Sequence, residues 1–168
     1  VFGRMVPNSS PYLSGAFLYL SQETNGLSLM RSMVEGLAFQ CRSLFDIICS
    51  AQNKISSFIQ VGGGAKRRRW TQIKANVLGL PVYVPNIIES TAMGAARGAG
   101  VGSGIYSGYD EVGVVSAALG GYISEPDQGE HEMYSEIYKE VYLPILSDLN
   151  AKEIALNKTI RKFRSHRT

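Results

Sequence analysis

Apolar residues recur along the chain at spacings that distinguish helices from strands. Between about Leu27 and Cys49 they fall every three or four positions, which is the period of an amphipathic helix: Leu27, Met30, Val34, Leu37, Cys41, Leu44, Phe45 and Ile48. Residues 24–26, Thr-Asn-Gly, are typical of a helix start. Gly36 lies inside this predicted helix, and close packing of another backbone is one reason for a glycine there.

Short apolar segments bounded by turn residues predict three strands, at 15–20, 55–61 and 80–85. Helical spacing predicts a second helix over 67–78, with Gly79 as its stop. A segment rich in Ala and Gly predicts a third helix from Glu89 to about Val101, and a short fourth helix is predicted over 111–119. A last amphipathic helix starts near Gln128, and Pro144 is expected to kink or end it before a polar helix over 147–162. This alternation of strands and helices predicts an α/β fold.

The composition is that of a single domain. The 168 residues are 45% hydrophobic and 18% charged, which is close to the average for globular proteins and sufficient for a core. No signal-peptide pattern and no apolar run of membrane-spanning length is present, so we expect a cytoplasmic protein with no membrane partner. Cys41 and Cys49 lie about 12 Å apart along the predicted helix, too far for a disulfide.

The segment VGGGAKRRRW, residues 61–70, joins a predicted strand to a predicted helix. Glycines let the backbone turn sharply and approach a ligand, and the start of the helix offers free N–H groups to a phosphate or ribose oxygen. The segment matches neither the phosphate-binding pattern GxxxxGK[ST] nor the dinucleotide pattern GxGxxG. From these residues alone, it is either a nucleotide-binding turn or only a tight connection between strand and helix.

The basic run over residues 66–69 also has more than one interpretation. It is a solvated helix face, a set of contacts to ligand phosphates, or a nucleic-acid patch. The net charge of +3 is mild, whereas nucleic-acid binders usually carry a broad basic stripe. Trp70 is the only aromatic residue beside the run, so there is no interleaved set for stacking bases. Nucleic acid is therefore the least favoured partner.

Three blocks occur in a specific order: MRSMVEGLAF at 30–39, VGGGAKRRRWTQIKANVLGLPVYVP at 61–85 and ESTAMGAARGAGVGSGIY at 89–106. In this order they resemble the C-terminal domain of the FGGY carbohydrate kinases, nearest to the xylulokinase-like branch. The resemblance extends over about residues 10–145. It divides the chain into an irregular lead-in over 1–14, the kinase C-terminal domain over 15–146, and a C-terminal helix with a basic tail over 147–168.

The resemblance implies an actin-like, ribonuclease-H-like ATPase domain, one half of a two-domain sugar kinase with ATP in its cleft. It implies transfer of the γ-phosphate of MgATP to a hydroxyl of a ketose, aldose or polyol. The glycine turn of such kinases lies against adenine and ribose. Carried over by position, the nucleotide-binding residues are Gly62, Gly63, Gly64, Ala65, Lys66, Arg67 and Arg68.

No catalytic residue is expected in this chain, because the family's catalytic Asp and most of its sugar pocket belong to the N-terminal domain. The ligands of Mg²⁺ are expected outside the chain as well. Glu35 is interpreted as a structural or inter-domain group and Glu89 as a helix-start residue. His131 and His166 stand thirty-five positions apart with no metal-binding companions. No metal site is therefore predicted.

The chain begins at Val1 rather than Met, and we expect a piece of a longer protein that is inactive alone. Its expected partners are the N-terminal sugar-binding domain and a sugar or polyol. The resemblance also allows two copies of the protein to form a homodimer. Two other hypotheses remain: a non-catalytic nucleotide-binding remnant of the same fold, and a basic nucleic-acid-binding module.

The sequence departs from the family pattern at several positions. Arg67 stands where the family usually has Ser, and Asn76 replaces an Asp. Tyr19 stands at a position that is normally Gly, and Ser28 at one that usually carries a larger polar residue or His. An Arg at position 67 is able to stack on adenine, to reach the phosphates or to point to solvent.

Overall fold

The computed structural model describes residues 16–50, 55–87, 89–117 and 120–165. These residues form two compact units: a helical unit, Val1–Asn53 with Glu132–Thr168, and a sheet unit, Lys54–His131. The predicted lead-in over 1–14 lies outside the described residues. The other predicted domain limits stay predictions.

The described elements are six α-helices, three short strands and two other helical segments. The α-helices are α1 (Gly26–Ser50), α2 (Arg68–Leu78), α3 (Ser90–Gly102), α4 (Tyr109–Ala117), α5 (Gln128–Glu136) and α6 (Leu143–Ser165). The strands are β1 (Phe58–Ile59), β2 (Val82–Pro85) and β3 (Gly121–Ser124). A 3₁₀ turn spans Gly63–Lys66, and a π-helical segment, Ile137–Tyr142, joins α5 to α6. No helix within the described ranges is long and apolar enough to cross a membrane.

Aromatic packing holds the helical unit together. Phe39 of α1 is 7% exposed, and its ring lies 5.1–5.9 Å, centroid to centroid, from the rings of Tyr134, Tyr138 and Tyr142. Such offset and edge-on pairs stabilise a core beyond the apolar area that they bury. Their spacing of four residues lets the three tyrosines share one face of the helical run that carries them.

Two of these tyrosines also bind carboxylates of α1 through their hydroxyl groups. Tyr134 donates a hydrogen bond of 2.8 Å to Glu35, and Tyr138 donates one of 2.8 Å to Asp46. Burial is the largest cause that raises the pKa of each phenol, so both remain neutral donors at physiological pH. Glu35 also accepts from Arg31 at 2.7 Å, which gives it a structural role of the predicted kind.

The sheet unit is built on three strands in the order β1-β2-β3. β1 pairs with β2 in parallel, with Phe58 opposite Val82, and β3 pairs with β2 antiparallel, with Ser124 opposite Val82. α2 is the helical connection between the parallel strands, as expected for a β-α-β unit. The core cluster consists of Ala65, Ala75, Val82 and Val84, with Phe58 and Tyr122 packed against it.

Most predicted elements form, with different lengths. The long first helix and the helices at 67–78, 89–101 and 111–119 are confirmed to within a few residues, and the strands at 55–61 and 80–85 shorten to β1 and β2. No strand forms over the described part of 15–20, because Tyr19 has a left-handed φ of 57° that an extended strand excludes. β3 was not predicted, since its four residues show no clear alternation.

Two residue-level expectations also need correction. Pro144 does not end the helix, because the π-helical segment before it shifts the backbone bonding, and Leu143 N–H donates to the Tyr138 carbonyl five residues back. Gly36 is not explained by close backbone packing. Among the described atoms, none outside the backbone of its own helix lies within 4 Å of where its Cβ would stand.

Two glycines give a matched test of this packing. Gly79 ends α2 with a φ of 67°, and a Cβ there would stand 2.6 Å from Nε2 of His131, whose Nδ1 lies 2.8 Å from the Asn76 carbonyl. We expect Gly79→Ala to lower the free energy of unfolding by roughly 1–2 kcal/mol or more, through backbone strain and displacement of the ring.

Gly36→Ala is the control, and it should raise the free energy of unfolding by about 0.5–1 kcal/mol because its Cβ meets open space inside a helix. Urea unfolding of both variants measures the difference. Equal stability of the two variants would contradict the described packing at Gly79.

Candidate functional site

The candidate site is the glycine turn, residues 62–67, which connects β1 to α2. The backbone ladder continues past β1, since Gln60 N–H donates to the Tyr83 carbonyl at 2.8 Å. The chain then enters the 3₁₀ turn Gly63–Lys66 and continues into α2 at Arg68. The turn therefore stands at the carboxyl end of a parallel strand, which is where ligands collect in α/β sheets.

The three glycines of the turn differ in what they require. Gly62 has φ 79° and ψ −168°, a conformation essentially restricted to glycine. Gly63 and Gly64 have no positive φ. A Cβ at Gly63 would meet no described atom within 4 Å, whereas one at Gly64 would meet Nε2 of Gln60 at 3.7 Å. Gly62 is thus demanded by the backbone, Gly63 has an open side, and Gly64 faces the interior.

Ala65 anchors the turn in the core. Its side chain is 4% exposed and belongs to the core cluster with Ala75 and Val82. Its backbone N–H donates a 3.0 Å hydrogen bond to the Gly62 carbonyl. The methyl group of Ala65 is therefore a packing element that holds the glycines in place.

The basic residues that follow have different surroundings. Lys66 Nζ lies 3.4 Å from Glu89 Oε1, and both side chains are largely exposed, so this pair contributes little to stability. Arg67 is the N-cap residue of α2, and its carbonyl accepts from the N–H groups of Trp70 and Thr71. The basic run is therefore not one uninterrupted stripe of equivalent cations, as a nucleic-acid patch would require.

Arg68 is held by an aromatic ring. Its guanidinium carbon lies 4.5 Å from the centroid of the Tyr122 ring on β3, within the range of a cation–π interaction. The first turn of α2 contains no acidic residue. The start of α2 therefore combines the positive end of a helix with exposed basic side chains, and it follows Gly63 by a single short turn.

A polar network connects the end of β1 with α2 and β3 on the interior side of the turn. Gln60 is 3% exposed, and its Nε2 lies 3.3 Å from the Oγ1 of fully buried Thr71, which in turn lies 3.4 Å from the Tyr122 hydroxyl. Gln60 Oε1 has no hydrogen-bond partner among the described atoms. Neither Gln60 nor Tyr122 was predicted from the sequence as part of the site. The alternation of Phe58 and Gln60 along the first strand segment was a signal that Gln60 points inward.

A second network links α2 to β3 and includes Asn76, one of the positions that depart from the family pattern. Gln72 Oε1 accepts from the Ser124 hydroxyl at 2.7 Å, and Gln72 Nε2 donates to Asn76 Oδ1 at 2.9 Å. Asn76 Oδ1 also accepts from the Asp127 N–H at 3.0 Å. Both bonds use an acceptor oxygen that Asp also has, so neither bond requires Asn rather than Asp at position 76.

A metal ion needs several His, Cys, Asp or Glu side chains that converge on one point. Across the described ranges, no group of three or more His, Cys, Asp or Glu side chains is arranged to hold one. His131 binds the Asn76 carbonyl through Nδ1, and His166 lies outside the described residues. Cys41 and Cys49 are free thiols on α1.

Known proteins resemble the chain over most of its length. Residues 2–103 match the family described as "FGGY family of carbohydrate kinases, C-terminal domain". A xylulose kinase of Staphylococcus xylosus is 24% identical over 144 residues, which cover 84% of this chain and 30% of that protein. An autoinducer-2 kinase of Yersinia enterocolitica is 40% identical over 102 residues, which cover 58% of this chain and 19% of that protein.

A solved structure of a xylulose kinase also resembles this chain. The crystal structure of xylulose kinase from Rhodospirillum rubrum has a TM-score of 0.69 at 28% identity, over 85% of this chain and 29% of that one. The likeness confirms the predicted α/β fold of the actin-like, ribonuclease-H-like class. The chain spans less than a third of the length of each of these three proteins.

Because Gly62 has a positive φ and Gly63 does not, alanine at these two positions should change the stability by different amounts. Gly62→Ala should lower the free energy of unfolding by about 1–3 kcal/mol, because Ala is strained at a φ of 79°. Gly63→Ala should leave it within about 0.5 kcal/mol, because its methyl group meets open space. Thermal unfolding of both variants without ligand checks this. A larger loss for Gly63→Ala than for Gly62→Ala would contradict the described turn.

Proposed function

Because the chain belongs to the FGGY family of carbohydrate kinases, as a C-terminal domain, we propose that it is the nucleotide-binding part of an ATP-dependent sugar kinase. The complete enzyme transfers the γ-phosphate of MgATP to a hydroxyl of a ketose, aldose or polyol. The observation that carries the proposal is the glycine turn, which leaves the side of Gly63 open next to the positive start of α2. A nucleotide needs such a close backbone approach together with positive charge.

Each residue of the turn has a part in this function. Gly62 provides the sharp backbone turn, and Gly63 lets adenosine approach the backbone. Gly64 and Ala65 support this surface from the interior side, Ala65 through its packing in the core. Lys66, Arg67 and Arg68 add positive charge next to the nucleotide. ATP bound there supplies the phosphoryl group that is transferred, and this chain binds and orients the nucleotide.

The remaining parts of the reaction come from outside the described residues. Phosphoryl transfer needs a positioned nucleophile, a base and Mg²⁺ to neutralise charge. The described ranges fit the adenosine side of the nucleotide, and they contain no carboxylate cluster suited to Mg²⁺. We therefore assign the base, the Mg²⁺ ligands and the sugar pocket to an N-terminal domain of a longer protein, with the reaction in the cleft between the two domains.

The acceptor sugar is defined only as a class. The relatives are kinases of different acceptors, xylulose and autoinducer-2. These relatives match the same domain although their acceptors differ. This favours a domain that binds the common substrate, the nucleotide, over one that selects the acceptor. The choice of acceptor belongs to the part of the enzyme that contacts the sugar.

The proposal is tested with the full-length gene product. ADP release from MgATP should be stimulated by one member of a panel of pentuloses, hexoses and polyols. Gly63→Asp should abolish the stimulation, because a carboxylate on the open side of the turn blocks and repels the nucleotide. Gly113→Asp in α4, whose Cβ also meets no described atom, is the matched control and should stay active.

Three results would contradict this proposal. Full activity of Gly63→Asp would remove the glycine turn from the nucleotide site. Intact nucleotide binding without stimulation by any sugar would indicate a non-catalytic remnant of the same fold. Sugar-dependent ADP release by the 168-residue chain alone would show that the base and the sugar pocket lie within it.

A further inference from the structure

Tyr122 of β3 packs against the core directly below one of the cations of the basic run. Its hydroxyl lies 3.4 Å from Oγ1 of fully buried Thr71, and its ring packs against the core cluster. The guanidinium carbon of Arg68 stands 4.5 Å from the centre of the same ring. The ring is thus packed along its side against the core, with its hydroxyl near Thr71, and Arg68 lies over this packed aromatic surface.

The charge of Arg68 is available to a ligand. No carboxylate in the described part of the chain pairs with Arg68, whereas nearby Lys66 pairs with Glu89. Arg68 is the first residue of α2, where the aligned peptide dipoles also favour an anion. Its side chain is exposed, so the N–H groups of the guanidinium are able to reach a bound molecule. The aromatic contact therefore orders a cation without neutralising it.

We propose that Tyr122 is a positioning residue that holds Arg68 so that its guanidinium binds the phosphate groups of the nucleotide. This inference rests on the proposed nucleotide-binding function and adds a residue from β3 to that site. A guanidinium presents a planar set of donors that matches phosphate oxygens, and it remains charged at every physiological pH. A side chain that is already ordered loses less conformational entropy when the ligand binds.

The inference predicts a specific dependence on the ligand. ATP, ADP and adenosine are titrated separately into the full-length gene product without sugar. Arg68→Gln should weaken ATP and ADP about tenfold, as expected for loss of a hydrogen bond between charged groups, and should leave adenosine within about twofold. Arg69→Gln removes the same charge from the next position and is the control, with a change of less than about twofold for ATP.

The role of Tyr122 is tested by two replacements. Tyr122→Leu should weaken ATP about fivefold, the scale of a partly exposed cation–π interaction, with no such effect on adenosine. Tyr122→Phe keeps the ring and should bind ATP like the parent, although loss of the bond to Thr71 lowers its stability. In the Arg68→Gln background, Tyr122→Leu should cause no further loss, because the two residues act through one contact.

Each other outcome overturns a defined part of the inference. Equal weakening of adenosine and ATP by Arg68→Gln would assign Arg68 to the base or ribose instead of the phosphates. Additive effects of Tyr122→Leu and Arg68→Gln, or a loss of ATP affinity in folded Tyr122→Phe, would overturn the positioning role. If the parent protein bound neither adenosine nor ATP, the proposed nucleotide-binding function itself would fail. No result obtained with the variants would lead to that conclusion.

Discussion

The backbone conformation of Gly62 determines where β1 ends and how α2 begins. At φ 79° and ψ −168°, the chain leaves the sheet and enters the 3₁₀ turn, which places Ala65 in the core next to Ala75 and Val82. Because Ala65 is buried, the turn cannot slide along the sheet. The start of α2 and the basic side chains on it are therefore held at the carboxyl end of a parallel strand.

The polar contacts of α2 extend this constraint to β3. Thr71 contacts Tyr122, and Gln72 accepts from Ser124. One turn of α2 is therefore hydrogen-bonded to two alternate residues of β3. Partly buried hydrogen bonds of this kind contribute specificity, because breaking one leaves a polar group with fewer partners than it has in water. The site thus combines the glycine turn with a strand that begins 54 residues after the turn ends, and the helix α2 sets their relative position.

How far the sequence predicts the fold depends on how local each interaction is. α1 was predicted because its apolar residues repeat over many turns, and the stop of α2 at Gly79 was predicted because glycine favours a left-handed backbone. β3 was missed because four residues carry no reliable period and its hydrogen bonds come from β2, far away in sequence. The strand predicted at 15–20 failed for the opposite reason, since its residues favour a strand but Tyr19 adopts a left-handed conformation.

The amino-acid sequence by itself determined the family, through three blocks in the correct order, and the position of the glycine turn, through glycines whose backbone freedom is local. Only the tertiary structure decided the surroundings of each turn residue. It placed Ala65 in the core, separated the open side of Gly63 from the inner side of Gly64, and brought Tyr122 to Arg68. These outcomes depend on which residues from distant segments pack together, and side-chain packing across the sheet is not encoded in any short stretch of the chain.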